Sequence, residues 1–547
     1  MRLIIPILFL LFSVNAFAQP GGDLGSEEVE VVKNFDAKLA EAEKLTIAPK
    51  LPEIDGEAKP QQYFVANKDL QVNYEAPRIR PMSMRGEDLP EAYKGYMKFG
   101  GGFPLGLYGE AGYHTYSKDE NFRIGFDFDH YNVNNDGNVE NQRFANTGAA
   151  IKGGYYFDQG FTVEGDLGYR RDVVHFYGYN FDGSEAQDVV QENVRQEFNT
   201  FDFSGNITNS TRTVADFDYD AGIKYYNRGD NYGAREQGFA LDLRGAKWLN
   251  DQHELSLGIV SDFTDYKDTV KQNLNNFHFQ PAFTFHEDNF KVKAGVNLVW
   301  HNDQPFFFPN AEAEFNVLET RLQVYAGANG TLDKNSFRKI SDYNPYIFTR
   351  FPAFLLNNTR VNHYYAGVKG AFSIFDYDVQ GGFKDAEGLP LYLSNPDPAN
   401  SLRRQFNVLT DTVGIVNVQG SVTANVLSNL QVVGAVNTNI YDMKNEEKAW
   451  GLPAVTINGG VIYTTLDDKL QLRGDLFLQD GIPFRDLNGD PVTLNRMLDV
   501  SLGAEYTISD NFGGWLRLNN IANNKYERWQ YYPTLGINVL AGISAKF

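Results

Sequence analysis

Apolar residues recur at every second position over stretches of ten residues and more, and this pattern constrains the chain most. At the C-terminal end Ile537, Val539, Ala541, Ile543, Ala545 and Phe547 are apolar, while Asn538, Leu540, Gly542, Ser544 and Lys546 between them are mostly polar or small. Leu498, Val500, Leu502, Ala504, Tyr506 and Ile508 alternate with Asp499, Ser501, Gly503, Glu505 and Thr507. The same rhythm runs through Leu470–Gln479, Val416–Val426 and Phe290–Trp300. A period of two puts successive side chains on opposite faces of a β-strand. Strands of soluble proteins average about five or six residues, so runs of this length call for something taller.

Two structures carry such a pattern: a soluble sheet with one wet face, and a membrane barrel with lipid outside and a polar lumen inside. The connections separate them. Tight polar turns occur at 157–160, 249–251, 286–289, 318–320, 428–429, 466–469 and 509–511. Longer loops are expected at Phe181–Phe198, Asp265–Asn276, Phe337–Arg360, Leu389–Arg404 and Asn445–Pro453. Short turns on one side and long loops on the other mark an outer-membrane barrel. The expected fold is therefore all-β: a transmembrane antiparallel β-barrel with short periplasmic turns and longer extracellular loops. It would hold roughly 20 to 22 strands over residues 94–547, the first near Gly95–Gly102. Aromatics near turns, such as Tyr155, Tyr156 and Tyr506, suit either an interfacial girdle or ordinary sheet packing.

Composition agrees once only one strand face has to meet lipid. Hydrophobic residues make up 42% of the 547, with 14% aromatics and 51 Gly, a mix that favours sheet over helix. A net charge of −21 argues against nucleic acid as a partner. With no Cys, disulfides, thiol catalysis and Cys-ligated metal centres are excluded.

The N-terminus reads as an export signal. Met1 and Arg2 precede an apolar run from Ile4 to Phe12, and Ala16 and Ala18 place small residues where a signal peptidase reads, with cleavage before Gln19. Residues 1–18 are thus expected to be removed. Residues 19–93 form a periplasmic or lumenal arm, with one short helix possible around Asn34–Lys44. Beyond it Pro49, Pro52, Pro60, Pro77, Pro81 and Pro90 break up regular structure.

No catalytic, cofactor or metal constellation emerges. His253-Glu254 and His286-Glu287 lack the second His of a zincin motif. His114, His130, His175 and His363 are scattered and read as structural. The run from Asn132 to Gly137 opens like a calcium loop, but Arg143 stands where a Glu is needed. Asp486-Leu487-Asn488-Gly489-Asp490 is better read as a polar turn than as a divalent-cation site. Strand charges expected to face the lumen (Asp127, Asp129, Lys291, Lys293, Arg473, Glu505) form no single-sign ring. The acidic loop Phe181–Phe198 is better read as solvated surface than as a binding loop.

The last thirty residues carry a more specific signal. Leu518 to Glu527, with Asn520, Lys525 and Tyr526, is followed by Tyr532-Pro533-Thr534-Leu535-Gly536 and a strand ending in Phe547. This resembles the final hairpin of TonB-dependent receptors, and the terminal Phe547 resembles the sorting signal that barrels present to the barrel assembly machinery. Glu28, Val29, Glu30, Val31 and Val32 resemble a TonB box, the stretch that pairs with the energising partner. The match departs at Ile537, where the family usually carries Arg, and residues 19–93 are too few for the family's plug domain. The chain thus resembles a plug-poor or plugless relative, of the sort found in Bacteroidota envelopes. The resemblance implies a barrel that binds or transports a solute across the outer membrane, contacts lipid and lipopolysaccharide, and engages TonB or another envelope protein. A non-conducting scaffold within an envelope assembly or secretion complex is the alternative, and an enzyme ranks last.

Overall fold

The computed structural model describes residues 93–547, apart from 118–120, 183–187, 210–212, 214, 349–353, 395–401 and 487. The signal segment with Ala16, Ala18 and Gln19, the 19–92 stretch with its expected helix, and Glu28–Val32 lie outside the described residues. Twenty-two strands form one sheet in which sequential neighbours pair antiparallel. The first strand, Gly95–Phe103, pairs with the second, Leu105–Tyr116, and also with the last, Asn538–Lys546. That second pairing closes the barrel. The count is the upper end of the expected range, and the first strand starts where the pattern placed it.

Closure follows from the solvent. Hydrocarbon offers no partner for a backbone N–H or C=O, so a spanning sheet cannot keep an edge. The alternating pattern then sorts the two faces. Met97, Phe99, Ile151, Leu167, Val418, Leu502 and Ile543 stand exposed on the outside, Ile543 by 66%. Their neighbours on the other face interact among themselves: Lys98 Nζ lies 2.6 Å from Glu505, Lys152 Nζ lies 2.8 Å from Asp127, and Arg473 chelates Asp475. At the turn end, exposed Phe122, Tyr155, Phe290, Phe315, Phe375, Tyr506, Phe512 and Phe547 provide the aromatic belt of an interface.

The seam has its own packing device. Trp515, on the strand Phe512–Asn519, faces the lumen, is 6% exposed, and donates its indole N–H to the Ile543 carbonyl at 3.1 Å. Its ring lies across Gly542 and Gly100. A Cβ added at Gly542 would stand 2.7 Å from that ring and would also run into the Phe99 carbonyl. Two glycines thus let one indole bridge three strands at the closure.

The loop asymmetry is as expected in outline. One end carries turns such as 158–160, 250–252, 373–374, 428–429 and 510–511, and Phe547 ends there, exchanging both backbone hydrogen bonds with Gly95. The other end carries 176–194, 336–356, 395–405, 444–454, 481–496 and 520–537. One expected loop is corrected. Asp265–Asn276 is not a long loop: the strands His253–Lys267 and Lys271–His286 stay paired to Lys267 and Lys271 across a turn at 268–270. Polar residues there, read as loop, are strand residues standing above the apolar band. For the same reason strand reaches Ser394 within the expected loop Leu389–Arg404.

Two substitutions test this arrangement. Gly542→Ala is expected to destabilise closure by about 1–3 kcal/mol through overpacking. Leu502→Arg, on the lipid face, is expected to cost about 2–4 kcal/mol near mid-membrane. Folding titrations in lipid vesicles read both, and a neutral result at both sites contradicts the assigned faces.

Candidate solute site at the outer mouth

Three loops anchored far apart on the ring meet one another. Loop 176–194 joins the fifth and sixth strands, 336–356 the thirteenth and fourteenth, and 520–537 the last two. In a 22-strand ring such loops touch only by reaching over the mouth. Tyr346 stacks on Tyr532 with centroids 3.8 Å apart, Tyr177 meets Tyr532 edge-on at 5.0 Å, and Phe176 lies 6.0 Å from Tyr346. Tyr177 Oη and Gln142 Nε2 both donate to the Pro533 carbonyl, at 3.0 and 2.9 Å. Phe406, Phe484 and Trp529 extend the cluster, and Ile347 bridges to Phe406 through the backbone. Offset and edge-to-face rings of this kind gain about 0.5–1.5 kcal/mol per pair beyond their burial.

Charged groups fasten this cap. Arg404 and Asp182 form an ion pair whose side chains are almost wholly buried, and Tyr532 Oη donates to the Arg404 carbonyl at 2.5 Å. The short helix Phe337–Tyr343 is tied to the wall by Glu236, which is 0% exposed. Its carboxylate accepts the backbone N–H of Phe337 at 2.6 Å and of Arg338 at 3.0 Å, and the Tyr226 hydroxyl at 2.8 Å. Arg228 reaches Asp342 of that helix at 3.0 Å while its guanidinium covers Phe198. Arg338 returns to Asp202 on the wall at 2.5 Å.

Beneath the cap lies a recess of about 700 Å³. Wall residues Tyr131, Phe144, Asp475, Phe477, Asp499 and Ser501 line it together with Tyr177, Tyr346 and Tyr526 from the cap. The C-terminal motif residues help to build it. Asn520, at φ 49°, donates to the carbonyls of Asn524 and Leu535 at 2.9 Å each, folding the loop back on itself. Tyr526 is buried with its hydroxyl 3.3 Å from Asp499, and Pro533 supplies the carbonyl described above. Gly536 sits where a Cβ would strike the Asn523 side chain. Lys525 is exposed beside it, and Phe547 stands at the opposite end, 6.4 Å from Tyr113.

Asp136 does not join a calcium site: Arg143 holds its carboxylate at 2.5 Å and pushes its pKa below the usual range, and Asn141 N–H donates to it at 2.7 Å. The Asp486 carboxylate accepts the N–H groups of Asn488 and Asp490, as a polar turn does. No cluster of three or more His, Cys, Asp or Glu able to hold a metal occurs among the described residues. His114 pairs with Asp127 and His130 with Thr147. The acidic 181–198 loop is not simply solvated: Asp182 is buried against Arg404, and Glu197 is held by Arg171 at 2.9 Å. Sequence reasoning missed Glu236, Arg228, Arg404 and the cap tyrosines. The available signal was the aromatic run Phe176-Tyr177-Gly178-Tyr179 and the pair Tyr531-Tyr532 inside segments otherwise read as wet loops.

A closed antiparallel barrel with an apolar outer band, a polar lumen and long loops at one end has the architecture of an outer-membrane protein. More narrowly, it has the TonB-dependent receptor-like fold that the final hairpin suggested. Among solved structures it is similar to the FrpB iron transporter of Neisseria meningitidis, 11% identical over 84% of this chain and 82% of that one, TM-score 0.65. The siderophore receptor PirA of Acinetobacter baumannii matches at 10% identity, 84% and 81% coverage and TM-score 0.63. The pyoverdine receptor FpvA of Pseudomonas aeruginosa matches at 12%, 84% and 79%, and 0.60. These neighbours are described as receptors and a transporter, and at such identities the likeness concerns the fold. No family model and no curated protein matches the sequence.

Burial sets the pH range of the cap. Desolvation pushes the Tyr177 and Tyr526 hydroxyls up to about 12, and those of Tyr346 and Tyr532 well above the ordinary 10.0. Their folded-state pKa values are raised, so the stabilisation is complete below pH 10 and is lost as pH climbs through about 12. Phenolate absorbance is expected to show a late-titrating class that is smaller by three tyrosines in a Tyr177→Phe/Tyr346→Phe/Tyr532→Phe variant. An unchanged late class contradicts the buried cap.

Proposed function

We propose that the chain is a solute receptor and transporter of the outer membrane, without enzymatic activity, in which the loop cap closes the outer mouth over a binding recess. The observation that carries this reading is the convergence of three widely separated loops over a lumen lined by polar and ion-paired groups. A wall whose charges are compensated is suited to passing solute without trapping it. The likeness to receptors and a transporter agrees with the same reading. Glu28–Val32 would recruit an energising partner of the TonB type, and Phe547 would present the chain to the assembly machinery. The barrel itself sits among outer-membrane lipid and lipopolysaccharide.

Single-channel recording in planar bilayers tests the gate. The unmodified barrel is expected to stay closed, and a Glu236→Ala/Arg404→Ala variant is expected to conduct. If neither conducts and the barrel co-purifies with an envelope partner in fixed ratio, the scaffold alternative replaces this reading. For the energising partner, Val31→Pro is expected to abolish uptake in cells while leaving barrel insertion unchanged; undiminished uptake discards that segment.

A further inference from the structure

We propose that a row of cations on the outer face of the barrel binds the phosphorylated headgroup of an outer-leaflet lipid. The site depends on the outer-membrane location and is independent of whether the barrel transports a solute. Strand register builds it. Arg235, which opens the strand Arg235–Leu249, stands directly opposite Lys267, and Lys267 stands directly opposite Lys271 across the turn at 268–270. All three are exposed, while Glu236, Tyr266 and Leu274, of the opposite parity, are buried on the lumen side. Directly opposed residues sit about 5 Å apart, and like charges at that spacing repel. Three neighbouring strands make the row about 10 Å wide.

The chain does little to offset that repulsion. Among the described residues Arg235 and Lys267 form no ion pair, and Lys271 has only Asp265, at 3.8 Å. The Asp268 carboxylate in the turn accepts the Val270 N–H at 2.7 Å. Two strands away the pattern is reversed: Arg171 and Arg195 both close on Glu197, and Arg195 also reaches Glu192 at 3.2 Å. A row of cations left uncompensated where others are paired calls for an anion from outside the chain.

Position selects that anion. Four residues farther down their strands, exposed Phe239 and Phe263 stand opposite each other with centroids 6.5 Å apart. Exposed Phe277 and Trp300, 5.7 Å apart, continue the group. Such aromatics mark the edge of the apolar band. Four residues of a tilted strand lift the cations by about 10 Å, into the headgroup layer. Acyl chains then lie against the rings while phosphate oxygens meet the guanidinium and ammonium groups. An acidic protein segment would have to displace headgroups to reach the same row, which lies on the barrel wall and not on the cap loops.

Thermal unfolding of the purified full chain in neutral detergent tests the assignment, with bisphosphorylated lipid A, fully dephosphorylated lipid A and inorganic phosphate as separate additives. Only the phosphorylated lipid is expected to raise Tm saturably. Lys267→Gln is expected to raise the half-saturating lipid concentration about fivefold, and Arg235→Gln/Lys267→Gln/Lys271→Gln about a hundredfold. Without lipid, the triple variant is expected to be at least as stable as the parent, because neutralisation removes the repulsion. Lower stability or failure to fold contradicts the proposal, since the row would then be satisfied within the chain. Equal stabilisation by dephosphorylated lipid A, or the same effect from inorganic phosphate alone, overturns it. So does a parent that ignores phosphorylated lipid A, or a triple variant that binds it as the parent does.

Discussion

The pairing of Gly95–Phe103 with Asn538–Lys546 is the constraint on which everything else rests. A sheet of this height with one apolar face is stable in lipid only if no strand edge remains unpaired. Until the first and last strands meet, both edges of the sheet are exposed. Closure therefore links the ends of the described chain to each other, and Trp515, lying over Gly100 and Gly542, fills the one place where the two ends adjoin. Once the ring is shut, its circumference fixes where each loop starts. That geometry turns the contact between Tyr177, Tyr346 and Tyr532 into a bridge across the mouth.

The cap combines two kinds of interaction that fail under different conditions. The stacked and edge-on rings depend on burial and are insensitive to salt. Arg404 and Asp182 are a buried ion pair, and removing one leaves the other uncompensated at a cost of about 3–5 kcal/mol, while Glu236 is buried on two backbone N–H groups and the Tyr226 hydroxyl, and Arg228 faces a half-exposed Asp342. The cap is therefore rigid while its ion pairs hold and releasable when one is lost. On the proposed function, that is how a gate over a polar lumen would behave.

Much of the fold could be read in advance because alternation is a direct record of the two solvents. Leu498–Ile508 and Ile537–Phe547 declare their lipid and lumen faces residue by residue, and the tight turns at 428–429 and 466–469 mark the hairpins. The alternation fades where strands leave the membrane. Around 265–276 no lipid selects apolar residues, so paired strand looked like loop. The candidate site was less legible, because the cap is made by loops distant in sequence. Nothing local in Asp182 announces Arg404, and nothing in Glu236 announces the helix Phe337–Tyr343. Asn520, Tyr526, Pro533 and Gly536 were visible as a motif. Their part in building the recess emerged only with the loop folded over Asp499 and Gln142.

The central claim is that interlocked loops shut the outer mouth, and the absence of cysteine permits a direct measurement. Ser501→Cys places a thiol in the recess below the cap, and Val190→Cys places one on an exposed loop residue. The rate at which each reacts with a membrane-impermeant maleimide added outside intact cells should differ strongly. The account predicts prompt labelling at position 190 and slow labelling at 501 that speeds up when Glu236→Ala and Arg404→Ala are introduced. Equal, rapid labelling of both positions in the otherwise unmodified chain would contradict it.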